Sequence, residues 1–171
     1  HAVDLWRVDD CLFALGIFTN LSQDHLDYHK TMENYFQAKL RFFQEILPTE
    51  GKRRPGEMII NGDDPWGQRI LKEANRSGLT FGLQEGSDVR GEIVSLTAEG
   101  VGTIIHSAQG VLDISSPLIG RFNLYNVLAA VAAAMELGVP AGFIREGIAG
   151  LTGVPGRLQR ISRQGEPAVF V

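Results

Sequence analysis

The chain has 171 residues, 44% of them hydrophobic and 21% charged, and a formal net charge of -4. This composition is typical of an ordinary globular protein that can bury one good core, or one core plus part of a second. The dense basic run, residues 52–54, is flanked by glycine and proline, which is typical of a solvated loop. We therefore expect no nucleic-acid partner.

A single cysteine, Cys11, lies in an apolar context and cannot form an internal disulfide. It is predicted to be a small core residue in a protein of the reducing cytoplasm. The sequence contains no signal peptide or long apolar span, so we expect no membrane partner. Because it opens at His1 without a start methionine, we expect a piece of a longer protein.

The first predicted element is a strand over residues 12–18, L-F-A-L-G-I-F. Its near-continuous hydrophobicity is typical of a strand buried on both faces of a parallel sheet. The polar stretch T-N-L-S-Q-D-H-L-D-Y-H, residues 19–29, follows it directly. Ligands of parallel sheets bind beyond the carboxyl ends of the strands. The chemistry of the protein is therefore predicted to lie in this loop.

Two carboxylates and two imidazoles fall within six residues of the loop, at Asp24, His25, Asp27 and His29. Such a group can hold a divalent cation or carry out acid–base chemistry. The spacing of the histidines leaves two alternatives equally open: a metal-binding role for at least one of them, or hydrogen bonding within the loop by both.

The next predicted element is a helix that is capped by Thr31 and continues to Pro48, with apolar residues at helical spacing. Lys39 lies within its apolar stripe. The pattern alone favours a lysine whose stem packs and whose ammonium group reaches water. The alternative is a lysine that points into the site.

A second strand–loop–helix unit is predicted to follow, with a strand over Glu57–Ile60, a turn at N-G-D-D-P and a helix over Trp66–Ala74. Turn formation is the favoured explanation for the polar residues Asn61 and Asp64 in that turn. A further strand is predicted over Leu79–Leu83.

Alternating hydrophobicity then predicts a three-stranded antiparallel meander over residues 92–115. An alanine-rich helix, Asn123–Leu137, follows, and it must pack closely on a sheet. Asn123 and Asn126 are notable in its first turn, because asparagine is a poor residue for a helix interior, although Asn123 can also serve as the N-cap. A short helix is predicted near Phe143–Leu151.

The end of the sequence has the composition of a domain boundary. Residues 153–156 are predicted to be a linker, and residues 168–171 the first strand of another domain. Arg157 follows the linker glycine, and composition alone predicts that it is exposed to solvent.

Five motifs that span essentially the whole chain resemble, in this order, the ATP-dependent Mur ligases of peptidoglycan synthesis. They are T-N-L-S-Q-D-H-L-D-Y-H-K-T-M, Y-F-Q-A-K-L-R-F-F, I-N-G-D-D, L-I-G-R-F-N-L-Y-N-V-L-A-A-V-A-A-A and G-V-P-G-R-L-Q-R-I. Within the family, D-H-L-D-Y-H resembles the tripeptide synthetases. The resemblance implies an enzyme that adds a diamino acid, meso-diaminopimelate or lysine, to UDP-N-acetylmuramoyl-L-Ala-D-Glu. It implies ATP and Mg²⁺ as cofactors and an acyl phosphate as the intermediate.

The resemblance also implies roles for the residues of the loop and of the helix after it. His25 would be a ligand of the magnesium ion that bridges the phosphates. Lys39 would be carbamylated by carbon dioxide and help to hold a second metal ion, so both residues would be catalytic. Asn20, Asp24 and His29 would belong to the substrate-binding loop.

For the nucleotide, the resemblance implies that Asn126, and less surely Asn123, contacts adenine and that Arg157 contacts the phosphates. Several features of the family pattern are missing or altered. No G-x-x-x-x-G-K-[ST] P-loop occurs, the motif ahead of His1 with its metal-binding glutamate is missing, and Gln23 stands where relatives often carry arginine. We therefore expect the chain alone to be inactive.

Together these patterns predict an α/β fold: the later part of a mainly parallel, P-loop-type sheet with flanking helices, plus a small three-stranded antiparallel sheet. Residues 1–154 are predicted to be the later portion of the ATP-binding central domain, and residues 155–171 the linker and first strand of a truncated C-terminal domain. The parent protein is expected to be a cytoplasmic monomer. The alternatives are a folylpolyglutamate synthase or cyanophycin synthetase type of ligase, a non-catalytic scaffold module of the same fold and, more remotely, a metal-dependent hydrolase.

Overall fold

The structure is a computed structural model, and it describes residues 2–47, 56–151, 153, 154 and 169. The chain divides into two compact units, residues 1–81 and 82–171. Helices and strands alternate in the first, and three strands precede two helices in the second. The predicted α/β fold is therefore confirmed. The basic run at 52–54, linker residues 155 and 156, Arg157 and all of the predicted last strand except Val169 lie outside the described residues.

The first unit follows the predicted order of strand, loop and helix. Its elements, to the end of the strand at the unit boundary, are β1 (Leu15–Phe18), α1 (Leu26–His29), α2 (Met32–Arg41), a π-helical turn (Phe42–Ile46), β2 (Glu57–Asn61), α3 (Pro65–Glu73) and β3 (Leu79–Gly82). β1 pairs in parallel with β2, and β2 with β3. The carboxyl ends of these strands therefore lie at one edge, as the sequence predicts.

Both long helices of this unit have a side-chain N-cap: the predicted Thr31 for α2, and Asp64, which was predicted only as part of a turn, for α3. The hydroxyl of Thr31 accepts a hydrogen bond from the backbone N–H of Asn34 at 3.1 Å. A carboxylate oxygen of Asp64 accepts from the N–H groups of Trp66 and Gly67, at 2.9 and 3.2 Å. Asp64 is thus occupied as the N-cap of α3, which confirms the turn interpretation for this residue.

β1 is shorter and more exposed than predicted. Leu12 is 86% exposed and Ile17 40% exposed, so the prediction of a strand buried on both faces is wrong. Gly16 and Phe18 are buried, whereas Ile17 points to the opposite face, which the described residues leave partly open. Cys11 is also exposed and is not a core residue, because it precedes the strand in a turn closed by its N–H bond to Val8.

The sequence predicts that the helix carrying Lys39 continues to Pro48, but the structure is not α-helical over that whole length. It changes at Phe42 into the π-helical turn, in which the N–H of Leu47 donates to the carbonyl of Phe42 at 2.8 Å. The wider turn lets Phe43, Ile46 and Leu47 all be buried, at 3%, 7% and 0% exposure.

The second unit contains the predicted antiparallel meander and two helices. Its elements are β4 (Val89–Thr97), β5 (Gly100–Ser107), β6 (Gly110–Ser116), α4 (Arg121–Glu136) and α5 (Ala141–Ala149). β5 pairs in antiparallel fashion with β4 and β6. A Cβ atom on Gly91 in β4 would lie 2.9 Å from the side chain of Leu128 in α4, so the alanine-rich helix does pack closely on its sheet. None of the helices in the described part of the chain could span a bilayer.

Candidate functional site

The polar stretch after β1 ends in a single helical turn rather than in an open loop. His25 has a left-handed backbone, with φ of 54°, and its carbonyl accepts the N–H of His29 at 2.9 Å. The carbonyl of His29 then accepts the N–H of Thr31, the cap of α2, at 2.8 Å. The chain therefore turns back at once, so that the two histidines face α2.

Three of the predicted site residues meet at the ring of Tyr35 in α2. The imidazole of His29 stacks on this ring, with centroids 4.7 Å apart and planes inclined by 16°. The imidazole of His25 meets it edge-on at 5.9 Å. The Lys39 Nζ atom lies 4.9 Å from the ring centroid, on the same helix face because Tyr35 and Lys39 are four residues apart. One aromatic ring thus brings together His25, His29 and Lys39.

The cluster around Tyr35 has a buried side and an exposed side. Tyr35 and His29 are buried, at 9% and 5% exposure. His25 and Asp24 are exposed, and the His25 Nε2 atom lies 3.6 Å from the Asp24 Oδ2 atom. The buried ring pair can hold the site in place, while the exposed imidazole and carboxylate remain accessible to a ligand.

Burial changes the acid–base behaviour of two members of the cluster. It lowers the pKa of the Lys39 amine below its usual value, because the charged form loses solvation. It also lowers the pKa of the His29 imidazole. Lys39 is therefore neither a core residue nor a freely solvated one: its amine is half-buried, over an aromatic face.

The remaining loop residues do not complete a metal cage by themselves. Asn20 and Asp27 are both exposed. In the part of the chain that the structure describes, no three His, Cys, Asp or Glu side chains are grouped so that they could hold a metal ion. A metal ion at this loop would need further ligands, from a modified side chain, from a substrate or from another part of the protein.

The two predicted adenine-contacting residues lie in the second unit, in the first turns of α4. Asn123 is buried, and its Nδ2 atom donates to the carbonyl of Ile119 at 2.8 Å. Its Oδ1 atom accepts from Asn126 at 3.2 Å. Gly120, and not Asn123, is the N-cap of the helix. Arg157, the predicted phosphate contact, lies outside the described residues.

The sequence does not predict the individual contacts of two residues that shape the loop site. The pattern places Tyr35 in the aromatic stripe that is expected to desolvate the Lys39 amine, and an aromatic residue one turn before a lysine is a signal for contact between the two. Asn61 was assigned to a turn, and its Oδ1 atom does accept from Asp63 at 3.0 Å. Its Nδ2 atom, however, donates to the carbonyl of Thr19 at 2.7 Å, which ties the end of β2 to the start of the loop.

Comparison with known families shows to which family the chain belongs. Residues 1–134 match the Mur ligase middle domain. The chain belongs to the Mur ligase family. As a Mur ligase it is 43% identical, over 171 residues, to the UDP-N-acetylmuramoyl-L-alanyl-D-glutamate--2,6-diaminopimelate ligase of Geobacter metallireducens. That match covers 100% of this chain and 34% of the relative, so the chain spans about a third of the length of the curated relatives it matches.

Solved structures of Mur ligases have the same fold. A UDP-N-acetylmuramoyl-L-alanyl-D-glutamate--2,6-diaminopimelate ligase superposes with a TM-score of 0.80 at 31% identity, covering 96% of this chain and 33% of that one. MurF from Acinetobacter baumannii superposes with a TM-score of 0.75 at 28% identity, covering 89% of this chain and 32% of that one. The resemblance inferred from the five sequence motifs is thereby confirmed.

Proposed function

We propose that the protein to which this chain belongs is an ATP-dependent ligase that adds a diamino acid to UDP-N-acetylmuramoyl-L-Ala-D-Glu in peptidoglycan synthesis. The observation that carries the proposal is the meeting of His25, His29 and Lys39 around Tyr35, just beyond the carboxyl end of β1. The name of the Geobacter relative supports this dipeptide substrate and favours 2,6-diaminopimelate over lysine. We also propose that this enzyme is cytoplasmic and monomeric.

The reaction would have two steps. A carboxylate oxygen of the substrate attacks the γ-phosphorus of ATP, and the bond between this phosphorus and the β,γ-bridging oxygen breaks. ADP is released, and the substrate becomes an acyl phosphate. The amine of the diamino acid then attacks the acyl carbon and loses a proton, and inorganic phosphate leaves as the amide forms. Both steps concentrate negative charge on phosphate oxygens, so the protein has to supply positive charge there.

The donor set beside Tyr35 fits magnesium if Lys39 carries a carbamate. Magnesium prefers oxygen ligands and commonly takes one or two anionic groups together with substrate phosphates and water. We propose His25 as a ligand of the magnesium ion at the phosphates, and the carbamate of Lys39 as a ligand of a second metal ion. When bound, magnesium would neutralise charge on the phosphates. The lowered pKa of the half-buried Lys39 amine supports the carbamate, because carbon dioxide reacts with the neutral amine.

The other loop residues divide by exposure. Asn20 and Asp24 are exposed, so we propose them as contacts for the substrate or its bound ion. His29 is 5% exposed and stacked on Tyr35. We therefore propose that His29 supports the substrate-binding loop from its buried side.

For the nucleotide we propose Asn126 as the adenine contact and Arg157 as a phosphate contact. Asn123 is a weaker candidate, because its amide already donates to the carbonyl of Ile119 and accepts from Asn126. We propose that Asn123 orients Asn126 by accepting its amide N–H. The sequence resemblance supports the assignment of Arg157.

The proposal is tested with the full-length protein, by measuring ADP release and amide product with ATP, magnesium, the UDP-linked dipeptide and either diamino acid. Turnover should require all four components and should be faster with meso-diaminopimelate. Lys39→Ala should lower turnover by about 100-fold or more. Acetate or formate should restore part of it, because a small carboxylate can occupy the vacated anionic position.

Lys72→Ala is the matched control, since Lys72 is an exposed lysine in the last turn of α3. It should keep turnover within about threefold of wild type, in the absence and presence of acetate. Full activity of Lys39→Ala, or the absence of any amide product from the wild-type protein, would contradict the proposed function.

A further inference from the structure

The ring of Tyr35 contacts three polar side chains, although the residue lies in an apolar stripe. Its neighbour Phe36 and the nearby Phe43 are 0% and 3% exposed and belong to the hydrophobic core. Tyr35 belongs to the same core cluster, but its ring also contacts an imidazole face, an imidazole edge and a lysine amine. Filling the core requires none of these contacts, so they call for a different role.

We propose that Tyr35 is a positioning residue, whose aromatic ring sets the direction of the Lys39 side chain at the loop site. The position of the ring is given by its contacts with residues of α1 and α2, and the consequence for catalysis rests on the proposed function. A lysine side chain has four flexible carbon–carbon torsions and no fixed direction of its own. A ring face within about 6 Å of the amine selects a small part of that range, and here the distance is 4.9 Å.

The ring can act as a fixed surface because it is held from a second element. The His29 imidazole stacks on it at 4.7 Å. His29 is itself fixed by its own backbone: its N–H donates to His25, and its carbonyl accepts from Thr31 and from the side chain of Asn34, the last at 3.0 Å. Tyr35 thus links the short helix α1, which carries the loop residues, to Lys39 on α2.

These contacts are made by the aromatic ring of Tyr35. The proposal therefore distinguishes a substitution that keeps an aromatic ring from one that removes it. A phenylalanine at this position keeps the stacking face and the surface beneath the amine. A leucine has a similar apolar character but neither a flat face nor a ring quadrupole. The proposal therefore predicts that Tyr35→Phe is tolerated and that Tyr35→Leu is not.

The test compares Tyr35→Phe and Tyr35→Leu with the matched control Phe43→Leu in the full-length protein. Phe43→Leu removes a buried ring from the same core cluster, and that ring meets Phe42 edge-on at 5.2 Å. Tyr35→Leu should lower kcat by about 30-fold with little change in KM for ATP, because a displaced catalytic group acts on the chemical step. Tyr35→Phe, and Phe43→Leu at a temperature where it is fully folded, should stay within about threefold of wild type.

A second readout does not depend on turnover. In protein labelled with ¹³C at the lysine Cε, and assigned with Lys39→Arg, the Lys39 resonance should carry a ring-current shift in wild type and Tyr35→Phe that disappears in Tyr35→Leu. An unchanged Lys39 resonance in Tyr35→Leu, or equal losses of kcat in Tyr35→Leu and Phe43→Leu, would overturn the proposal. If Lys39→Ala proved fully active, the proposed function would fail, while the resonance would still show whether the ring holds Lys39.

Discussion

The candidate site residues of the two units are held in different ways. In the second unit the amide of the buried Asn123 donates a hydrogen bond to the carbonyl of Ile119 and accepts one from Asn126. In the first unit Lys39 and His29 are held by the face of Tyr35. A contact with an aromatic face leaves the nitrogen's capacity to bond elsewhere largely intact, whereas a hydrogen bond uses it. Lys39 is therefore better placed for chemistry, and Asn123 for structure or orientation.

The largest expected effect is a loss of turnover when a histidine is removed from the first unit but not when one is removed from the second. In the full-length protein, His25→Ala should lower turnover by about 100-fold or more, because the exposed imidazole is proposed to act at the phosphates. Its calorimetric affinity for the UDP-linked dipeptide should stay within about threefold of wild type. His106→Ala, which removes an exposed histidine of β5, is the control and should leave turnover unchanged. Turnover similar to wild type in His25→Ala would remove His25 from the catalytic site.

The next effect concerns the packing of α3 against the end of β2 in the first unit. A Cβ atom on Gly67 in α3 would collide with the carbonyl oxygen of Asn61 at the end of β2, whereas one on Gly142 in α5 would meet nothing within 4 Å. Gly67→Ala should destabilise the protein by about 1–3 kcal/mol. Gly142→Ala should be neutral or stabilising by up to about 1 kcal/mol. Urea unfolding measures both, and equal effects would show that the edge of the first unit is no more tightly packed than α5.

A smaller effect tests the bond between Asn61 and Thr19. Asn61→Ala removes the donor to the Thr19 carbonyl and should cost about 1–3 kcal/mol. Amide hydrogen exchange should also become faster in residues 19–29. Asp64→Ala, which removes the cap of α3 at a cost of about 0.5–2 kcal/mol, should leave exchange in that segment unchanged. The same increase in both variants would mean that Asn61 acts only through general stability.

The smallest effect is electrostatic and lies at the surface of the first unit. The two carboxylate oxygens of Glu33 accept from Arg69 at 2.7 and 3.0 Å. Hydrogen bonding from Arg69 lowers the pKa of Glu33 from 4.5 to about 2. Because the folded pKa is depressed, the contribution of the pair to stability is present above pH 4.5 and is lost as the pH falls towards 2.

A ¹³C titration of the Glu33 carboxylate measures this pKa directly. Arg69→Gln should return it towards 4.5. Arg90→Gln, a control on β4, should leave it low. An ordinary pKa in the wild-type protein would show that the ion pair does not form in solution.

Most of the fold could be predicted from the sequence, because its signals are local. Thr31 caps its helix as expected, Asp64 lies in the predicted turn, and alternating hydrophobicity predicted all three strands of the meander. The errors occur where tertiary packing decides. Cys11 and Leu12 continue an apolar run but are exposed, because the strand forms only from Leu15 onwards.

The sequence offers candidate residues for the site but not their arrangement. The resemblance to a known family pointed to His25, His29 and Lys39, yet spacing alone could not show that a single ring holds them. The π-helical turn after Lys39 also has no simple sequence signal, since it depends on how Phe43, Ile46 and Leu47 fit the core. Such features depend on packing between segments distant in the chain and not on local pattern.

The central claim is that the amine of Lys39, held over Tyr35, becomes the anionic ligand of an ATP-dependent ligase. The most direct measurement is ¹³C NMR of the full-length protein equilibrated with ¹³C-bicarbonate, magnesium and ADP, in wild type and in Lys39→Arg. We expect one slowly exchanging carbamate resonance in the wild-type protein and none in Lys39→Arg. The absence of that resonance from the wild type, or an equal signal in Lys39→Arg, would contradict the account.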